Sequence, residues 1–580
     1  MAIAASIFFA GVLCFPMTIR PDVTMLAGKY QWSHAWVMEL LHQGLINEEG
    51  IDLYRQPWSW DPKAVLEGAG QISTNTRLID FPRGGRIVLL GWPQLLIGHQ
   101  LRLLGFPALT SFNLAFLGVL STAPFFGYLF ARLNALRPLA SAFAALIFSS
   151  SPYMLCILYN GQVAKTSHGL IAGLACAAVA LGRGQWSWGF ILGPLLPICF
   201  GASPYYFIFS IPLCFMLFLY SFAESDLVQR VKGTIASVLS IAIGLYGCFP
   251  LLFHFKGRIK SLLAPATGGQ NADFFGITAT PLSLVWPVEL RMGGGNTIPG
   301  EHHIAYLGIG VIALCLMAII TVRNRKVILW AGIALVFILF SFGSAEQAGS
   351  PVPLPTDILL NLMPEEGAFI MRYRAIVVAT LMMGVLAGTG LQHFINRYSI
   401  KWSWGIGVLT LADIWLLPAP PFPIQTETVH LPRVYAEHAQ VDEFYGLVEF
   451  PCDILGPNSI SPDYFARLNI LNQKQLFYQI YHRKGLGMVD KANMSRETYQ
   501  LPLMRGLQEK AFGQSGPPMG SANQDSILWL KSNGFRYLIL HESYIPPENR
   551  QKVLNFLSEE LGEGQYFKQD AIWQFPLTKP

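Results

Sequence analysis

Apolar stretches about as long as a bilayer is thick recur from the amino terminus to about Pro418 and then stop. A membrane-spanning helix needs roughly 17 to 25 predominantly apolar residues. The pattern therefore predicts a polytopic α-helical membrane domain over residues 1–418. Its spans, about eleven in number, are Ala2–Ile19, Thr110–Leu133, Pro138–Leu158, Ser167–Leu181, Trp186–Phe200, Tyr205–Phe222, Thr234–Phe253, Ile304–Val322, Val327–Phe342, Ala375–Ile395 and Trp402–Leu417.

One further apolar stretch, Ile87–Leu104, decides the orientation, because counting it as a span reverses everything after it. It is broken by Gly91, Pro93 and Gly98, so we interpret it as an interfacial or re-entrant helix. Under this interpretation every basic gap faces the cytoplasm, as the positive-inside rule favours. Those gaps contain Arg132, Arg137, Arg183, Arg230, Lys232, Arg323, Arg325, Lys326, Arg397 and Lys401.

This topology places the amino terminus in the cytoplasm and three long segments outside, at residues 20–86, 256–303 and 343–374. The first stretch has neither a basic leader nor a small-residue cleavage pattern before Arg20, which favours a retained anchor over a signal peptide. An odd number of spans also puts everything after Pro418 outside. The functional face is therefore predicted to be extracytoplasmic.

The tail, residues 419–580, has a different pattern. It opens with the prolines Pro418, Pro420, Pro421 and Pro423, which cannot continue a helix and behave as a stiff linker. Beyond them, strand-like runs alternate with helical patterns, which predicts a soluble extracytoplasmic α/β domain. The predicted strands are Gly446–Phe450, Tyr537–His541 and Ala571–Phe575, and the predicted helices are Asp525–Ser532 and Pro547–Leu561.

Composition agrees with this division. The chain is 52% hydrophobic and 13% charged, with a mean hydropathy of +0.40. Seven of the eight cysteines lie within predicted spans, and Cys452 alone lies in the tail, which excludes a disulfide framework in that domain. The net charge of +5 comes mostly from the cytoplasmic gaps, so it argues for membrane orientation and against a nucleic-acid partner.

Candidate chemistry is concentrated in the first outer segment. The usual soluble-enzyme signatures, such as a phosphate loop, a Cys-x-x-Cys pair or a nucleophile elbow, are absent from the sequence. The segment carries the carboxylates Asp22, Asp61 and Asp80, which suit a general base or metal ligand, and Trp32 and Trp36, which suit stacking on a sugar. A lone loop aspartate is more often simply solvated, and tryptophan is common at membrane interfaces.

The order of short motifs along the chain resembles one group of proteins. It runs through an aromatic helix in the first outer segment, two Ser-Pro-Tyr motifs and motifs in the tail. These are Trp32-Ser33-His34-Ala35-Trp36, Asp80-Phe81-Pro82-Arg83-Gly84-Gly85, Ser150-Ser151-Pro152-Tyr153, Ser203-Pro204-Tyr205-Tyr206, Tyr306-Leu307-Gly308 after Glu301, Met371-Arg372-Tyr373-Arg374, Leu447-Val448-Glu449-Phe450-Pro451, Phe477-Tyr478-Gln479 and Phe535–His541. This order resembles the bacterial GT-C superfamily of polytopic membrane glycosyltransferases.

The resemblance implies an inner-membrane enzyme that takes a sugar from a polyprenyl-phosphate carrier at the outer face. An outer-loop carboxylate would be the general base or hold a divalent metal, and basic residues would hold the donor phosphate. Many relatives carry Gly-Asp before the aromatic helix, whereas this chain has Gly28-Lys29, so Asp22 is the best substitute by position, with Asp61 and Asp80 next. Arg291, Arg372 and Arg374 are the phosphate candidates.

Two functions stay open at this stage. Outer arginines and long outer segments favour a glycosyltransferase that uses a polyprenyl-phosphate-linked sugar. Lys29 in the place of the carboxylate favours an inactive GT-C-like scaffold or accessory subunit that binds protein partners through its C-terminal domain. The pair His302 and His303 beside Glu301 lacks a further ligand at fixed spacing, so no metal site is assigned there. Membrane lipids are predicted partners in either case.

Overall fold

The structure is a computed structural model that describes most of the chain. The described residues are 2–26, 31–44, 73–76, 85–88, 91–263, 278–287, 304–344, 352–362, 372–398, 400–417, 424, 426–451, 462–487, 498, 501–513 and 523–577.

The chain divides into two compact units that do not follow a single cut in the sequence. The second unit joins the tail to two segments of the first predicted outer loop, so an independently folding domain over 419–580 stays a prediction. Unit 1 comprises Met1–Gly28, Arg55–Gln71 and Leu90–Glu427, and unit 2 comprises Lys29–Tyr54, Ile72–Leu89 and Thr428–Pro580.

Helices dominate the first three quarters of the chain. In chain order the helices and strands are α1 (Ala2–Leu13), β1 (Thr24–Leu26), α2 (Gln31–Gly44), β2 (Ser73–Thr76), β3 (Gly85–Val88), α3 (Trp92–Leu103), α4 (Ala108–Leu133), α5 (Pro138–Ser149), α6 (Pro152–Tyr159), α7 (Gly169–Gly182), α8 (Gly189–Ala202), α9 (Pro204–Ala223), α10 (Leu227–Leu263), α11 (Pro281–Val285), α12 (Ile309–Val322), α13 (Arg325–Ser341), α14 (Pro355–Leu362), α15 (Ile376–Arg397), α16 (Ile400–Leu416) and β4 (Thr426–Thr428).

Every predicted span overlaps a helix, which confirms a helical membrane protein, but the predicted single span Pro138–Leu158 is divided into α5 and α6, because Pro152 cannot continue α5. Within the part of the chain that the structure describes, five helices are long and apolar enough to cross a bilayer, or six if the bent pair α5 and α6 is one span. The number of spans beyond these stays a prediction. Helix α3 lies within the stretch interpreted as interfacial and has 12 residues. Its length of about 18 Å is shorter than the hydrocarbon core of a bilayer, which is about 30 Å thick.

Proline sets the start of several helices. Pro138, Pro152 and Pro204 are the first residues of α5, α6 and α9. Proline has no N–H and a fixed φ, and the first helical position needs no N–H partner, so these prolines begin helices without breaking them. The local sequence therefore determines where these three helices begin.

Unit 2 is built on a mixed five-stranded sheet with the order β6-β5-β7-β9-β8. Strand β5 pairs in parallel with β6 and β7, whereas β9 pairs antiparallel with β7 and β8. The three predicted strands and both predicted helices are confirmed. The elements are α17 (Arg433–Ala439), β5 (Gly446–Phe450), α18 (Pro462–His482), β6 (Gly485–Leu486), α19 (Pro502–Phe512), α20 (Asn523–Ser532), β7 (Phe535–His541), α21 (Arg550–Leu561), β8 (Gln565–Phe567) and β9 (Ile572–Pro576).

Candidate functional site

Three candidate membrane spans of unit 1 begin with conspicuous polar or aromatic side chains. A 3₁₀ turn, Val163–His168, leads into α7, and a second one, Arg372–Ala375, leads into α15. Helix α9 begins directly at Pro204, followed by Tyr205 and Tyr206. The spans are Val163–Gly182, Pro204–Ala223 and Arg372–Arg397.

The ring of Tyr205 brings these three starts together. The guanidinium carbon of Arg374 lies 5.2 Å from the Tyr205 ring centroid, and the Lys165 Nζ lies 5.8 Å from it. Arg374 also lies 5.4 Å from the Tyr373 ring, and its Nε donates to the Tyr373 hydroxyl at 3.2 Å. Two cations from separate spans thus share one aromatic ring, and Arg374 is only 3% exposed.

A pair of buried tyrosine hydroxyls fixes the turn that carries Lys165. The Tyr206 hydroxyl donates to the Lys165 carbonyl oxygen at 2.7 Å. The hydroxyls of Tyr153 and Tyr206 lie 2.9 Å apart. Since Tyr206 has one proton and gives it to the carbonyl, Tyr153 must donate in this pair. The Pro-Tyr motifs at the starts of α6 and α9 therefore meet at the Lys165 backbone.

Helix α3 braces the same turn. The buried Gln94 amide nitrogen lies 3.0 Å from each of the Val163 carbonyl, the Thr166 hydroxyl and the Ser167 hydroxyl. At the start of α3 the Gly91 N–H donates to the carbonyl of Ala202, two residues before the start of α9, at 3.3 Å. The helix interpreted as interfacial thus supports two of the three helix starts.

The start of α7, directly after the turn that carries Lys165, packs closely against α4. A Cβ added at Gly169 would lie 2.3 Å from the Thr122 Oγ1 and 2.5 Å from the Ala123 backbone nitrogen. No side chain fits between these backbones, so glycine is required for α7 to approach α4 this closely.

The electrostatics of this region favour an anion. Each helix start carries a partial positive charge from its unpaired N–H groups. Lys165, Arg372 and Arg374 add three formal cations, and Arg372 is 6% exposed. The Asp357 carboxylate interacts electrostatically with Arg372. It also accepts a hydrogen bond from the Leu354 N–H at 2.6 Å. We name Lys165, Arg372, Arg374 and Tyr205 the cationic cluster.

Sequence reasoning found two members of this cluster and missed the other two. Arg372 and Arg374 were predicted phosphate ligands, whereas Lys165 was not a candidate and Tyr205 entered only as part of a motif. The signal that could have found them is the pairing of a basic residue with an aromatic one at the starts of separate spans.

Asp22, the first carboxylate candidate, is exposed in the turn after α1. The buried Asn113 amide fixes that turn by donating to the Pro21 carbonyl at 2.8 Å and to the Thr24 carbonyl at 2.7 Å. Asp22 forms no salt bridge with Arg372 or Arg374, all three residues being described. The remaining candidates Asp61, Asp80 and Arg291, with Lys29 and the Glu301–His303 segment, lie outside the described residues.

Trp32 and Trp36 occupy a place the sequence did not indicate. Both indole rings are buried within unit 2, at 1% and 0% exposure. Trp32 packs edge-on against Phe477 with centroids 5.0 Å apart, and the Trp36 Nε1 donates to the Gln479 Oε1 at 2.9 Å. Helix α18 thus covers both rings, so a sugar could stack on them only if α18 moved away. Their observed role is to dock α2 on α18.

Unit 2 also contains a buried polar network that sequence reasoning missed. The Tyr435 hydroxyl lies 3.0 Å from both carboxylate oxygens of Glu449, and the His541 Nε2 lies 2.9 Å from Glu449 Oε2. Burial and the Glu449 carboxylate hold the pKa of Tyr435 well above its usual value. With Glu449 fully buried and His541 4% exposed, the network has no room for a substrate and links β5, β7 and α17 structurally.

A half-buried carboxylate in unit 1 is also structural. Asp413 on α16 accepts from the Tyr306 hydroxyl at 2.6 Å and from the Gly310 N–H at 2.8 Å, so it caps the start of α12. Within the described ranges, no group of three or more His, Cys, Asp or Glu side chains is placed to hold a metal ion.

Comparison with known proteins adds a distant likeness. No family model and no curated protein matches the chain. The solved structures that match it include sugar transferases. The Archaeoglobus fulgidus oligosaccharyltransferase AglB, in complex with an inhibitory peptide and a dolichol-phosphate, aligns with a TM-score of 0.44 and 8% identity, over 93% of this chain and 69% of that one.

Two further alignments are similar. A structure of the Archaeoglobus fulgidus oligosaccharyltransferase with Zn and sulfate gives a TM-score of 0.45 and 10% identity, over 94% of this chain and 68% of that one. The mycobacterial arabinofuranosyltransferase AftD gives 0.42 and 12%, over 91% of this chain and 36% of that one. TM-scores below 0.5 are too low to assign an activity.

Proposed function

We propose that this protein is a GT-C-like membrane glycosyltransferase that takes a sugar from a polyprenyl-phosphate carrier at the outer face of a bacterial inner membrane. The observation that supports the proposal is the cationic cluster at the starts of three apolar helices. Helix α9 is largely uncovered by the rest of the protein, so a polyprenyl chain would lie along it, and the cluster would receive the phosphate. Arg372 and Arg374 would bind phosphate oxygens, and Lys165 would add a point charge.

The assigned roles follow the charge that develops in the reaction. As the bond from the sugar to the phosphate breaks, negative charge grows on the leaving phosphate, and fixed cations and helix dipoles stabilise it. Asp22 is the proposed base that takes the acceptor proton, with Asp61 and Asp80 as the next candidates. No metal is assigned to the reaction.

Binding of undecaprenyl phosphate to the purified protein tests the proposal. A charge-assisted hydrogen bond contributes about 1.5 to 3 kcal/mol, so we expect Arg374→Ala to weaken binding roughly 10- to 150-fold. The matched control is Arg397→Ala, which removes an arginine from the opposite end of α15, where it lies 5.8 Å from the Tyr398 ring. Undecaprenol without phosphate controls for the lipid chain.

Two results would contradict this proposal. One is equal binding of the phosphate and the alcohol by the unaltered protein. The other is equal weakening by the two arginine substitutions. Either result would favour the scaffold alternative. That alternative predicts a stable protein partner that co-purifies with the full chain in mild detergent and is lost when residues 428–580 are deleted.

Orientation is tested separately by cysteine labelling in intact cells. We expect a cysteine at the exposed Glu563 in unit 2 to react with a membrane-impermeant maleimide, and one at Arg325 to react only after permeabilisation. The native cysteines in the described residues are buried or half-buried, and Cys452, which lies outside them, is replaced by Ser beforehand to keep the background low. Labelling of Arg325→Cys alone in intact cells would reverse the topology.

A further inference from the structure

A chain of hydrogen bonds in unit 2 connects a buried histidine to helix α2. His482, the last residue of α18, is 1% exposed, and its Nδ1 accepts from the Lys484 N–H at 3.0 Å. The Lys484 carbonyl accepts from the Gln479 Nε2 at 2.8 Å. The Gln479 Oε1 in turn accepts from the Trp36 Nε1 at 2.9 Å. Gln479 is therefore held with its oxygen toward α2 by a backbone segment that His482 fixes.

This chain depends on the protonation state of His482. Only the unprotonated Nδ1 can accept a hydrogen bond, so His482 must be the neutral tautomer with its proton on Nε2. Protonation would place an N–H on Nδ1 opposite the Lys484 N–H. Two donors would then face each other, and the segment that orients Gln479 would have to move.

The surroundings of His482 keep it neutral. Its ring stacks on Tyr435 with centroids 5.2 Å apart. Burial, followed by the like charges of His438 and Lys484, holds the pKa of His482 well below its usual value of 6.5. Burial and Lys484 lower the pKa of His438 to about 4. Among the described residues, the other charged or titratable groups around this cluster include Glu449, His541, Tyr478 and Asp570 near Tyr435, Tyr537 at His438, Asp442, Glu443, Tyr445 and Arg536 around Lys484, and Glu39 of α2 near Tyr481.

We propose that His482, Lys484, Gln479 and Trp36 form an acid-sensitive latch, which holds α2 on α18 at neutral pH and releases it when His482 is protonated. The released state exposes His482, so it binds the proton more tightly than the latched state. Docking therefore weakens as the pH falls below about 6.5, by up to about tenfold per pH unit for one proton. The latch goes beyond the proposed transfer reaction and does not depend on it.

Hydrogen exchange of the full-length protein in detergent tests the latch, with exchange times scaled for the intrinsic pH dependence of the amide rate. Between pH 7 and pH 4.5 we expect the protection of Gln31–Gly44 to fall at least tenfold. Protection of α21, Arg550–Leu561, should change much less, since α21 is remote from the chain of hydrogen bonds. Equal loss in both helices would mean general unfolding of unit 2 and would overturn the proposal.

Two substitutions separate the latch from simple packing. His482→Asn replaces Nδ1 by an amide oxygen, which accepts a hydrogen bond but is not protonated in this pH range. H482N should therefore keep α2 protected at pH 7 and abolish the pH response. Gln479→Leu should lower α2 protection at pH 7 already and leave little further change on acidification. The matched control is His430→Asn, an exposed histidine 2.8 Å from Asp570, which should respond to pH like the unaltered chain. A full pH response in H482N would refute the assignment of His482.

Discussion

Expressed without Lys29–Tyr54, residues 428–580 will be unstable. Helix α2 lies on α18 in unit 2, and its removal would expose the apolar face that contains Phe477, which is 1% exposed. Burying a large side chain is worth about 1.5 to 3 kcal/mol, and loss of several such contacts would consume much of a typical stability of about 5 to 15 kcal/mol. Limited proteolysis and circular dichroism of the isolated tail, with and without a linked α2 segment, measure the difference.

A point substitution in the full chain gives the matched version of this result. Trp36→Ala should destabilise unit 2 by about 3 to 5 kcal/mol, because it removes a fully buried ring and leaves the Gln479 oxygen without its donor. Trp402→Ala is the control, since Trp402 is 72% exposed. A tail that resists proteolysis equally well with and without α2, or a Trp36→Ala protein as stable as the control, would show that α2 is an accessory to the fold.

Substitution of Asp22 by Asn will abolish most sugar transfer if Asp22 is the base. An amide cannot take the acceptor proton, and loss of a general base costs about 10²- to 10⁴-fold in rate. Lipid binding should be unchanged, since Asp22 forms no salt bridge with Arg372 or Arg374. Arg372→Ala should instead act chiefly on KM for the lipid donor, because the phosphate is already charged in the ground state. The measurement is transfer from a radiolabelled polyprenyl-phosphate sugar.

The control for this experiment is Asp226→Asn. Asp226 is exposed and accepts from the Gln229 N–H at 2.8 Å at the start of α10. Unchanged transfer by the Asp22→Asn protein would refute Asp22 as the base and move the test to Asp61 and Asp80. Loss of transfer in both Asp22→Asn and Asp226→Asn would indicate a general effect of the substitutions on folding.

The sequence alone was sufficient for most of the long apolar helices of unit 1 and much of the sheet of unit 2, but not for α11, α14 or the break between α5 and α6. Span-length apolar stretches and prolines such as Pro138 and Pro204 act through local chemistry, because lipid leaves the backbone no partner outside the helix. Strands β5, β7 and β9 were equally visible, since alternating or continuous β-branched and aromatic residues are a local pattern. Arg372 and Arg374 were identified because arginines directly before an apolar stretch can be recognised in the sequence without knowledge of the fold.

The tertiary structure alone decided which distant residues meet. Trp36 and Gln479 are 443 positions apart, and nothing in either local pattern indicates that an outer-loop helix packs in the second unit. The sequence did not indicate Lys165 as a site residue. The structure shows that Lys165 and Arg374 both lie against the ring of Tyr205. Such pairings depend on the shapes of packed surfaces and on which buried polar groups find partners. Local propensity fixes the elements of this chain, but contacts between elements remote in sequence fix the cationic cluster and the latch.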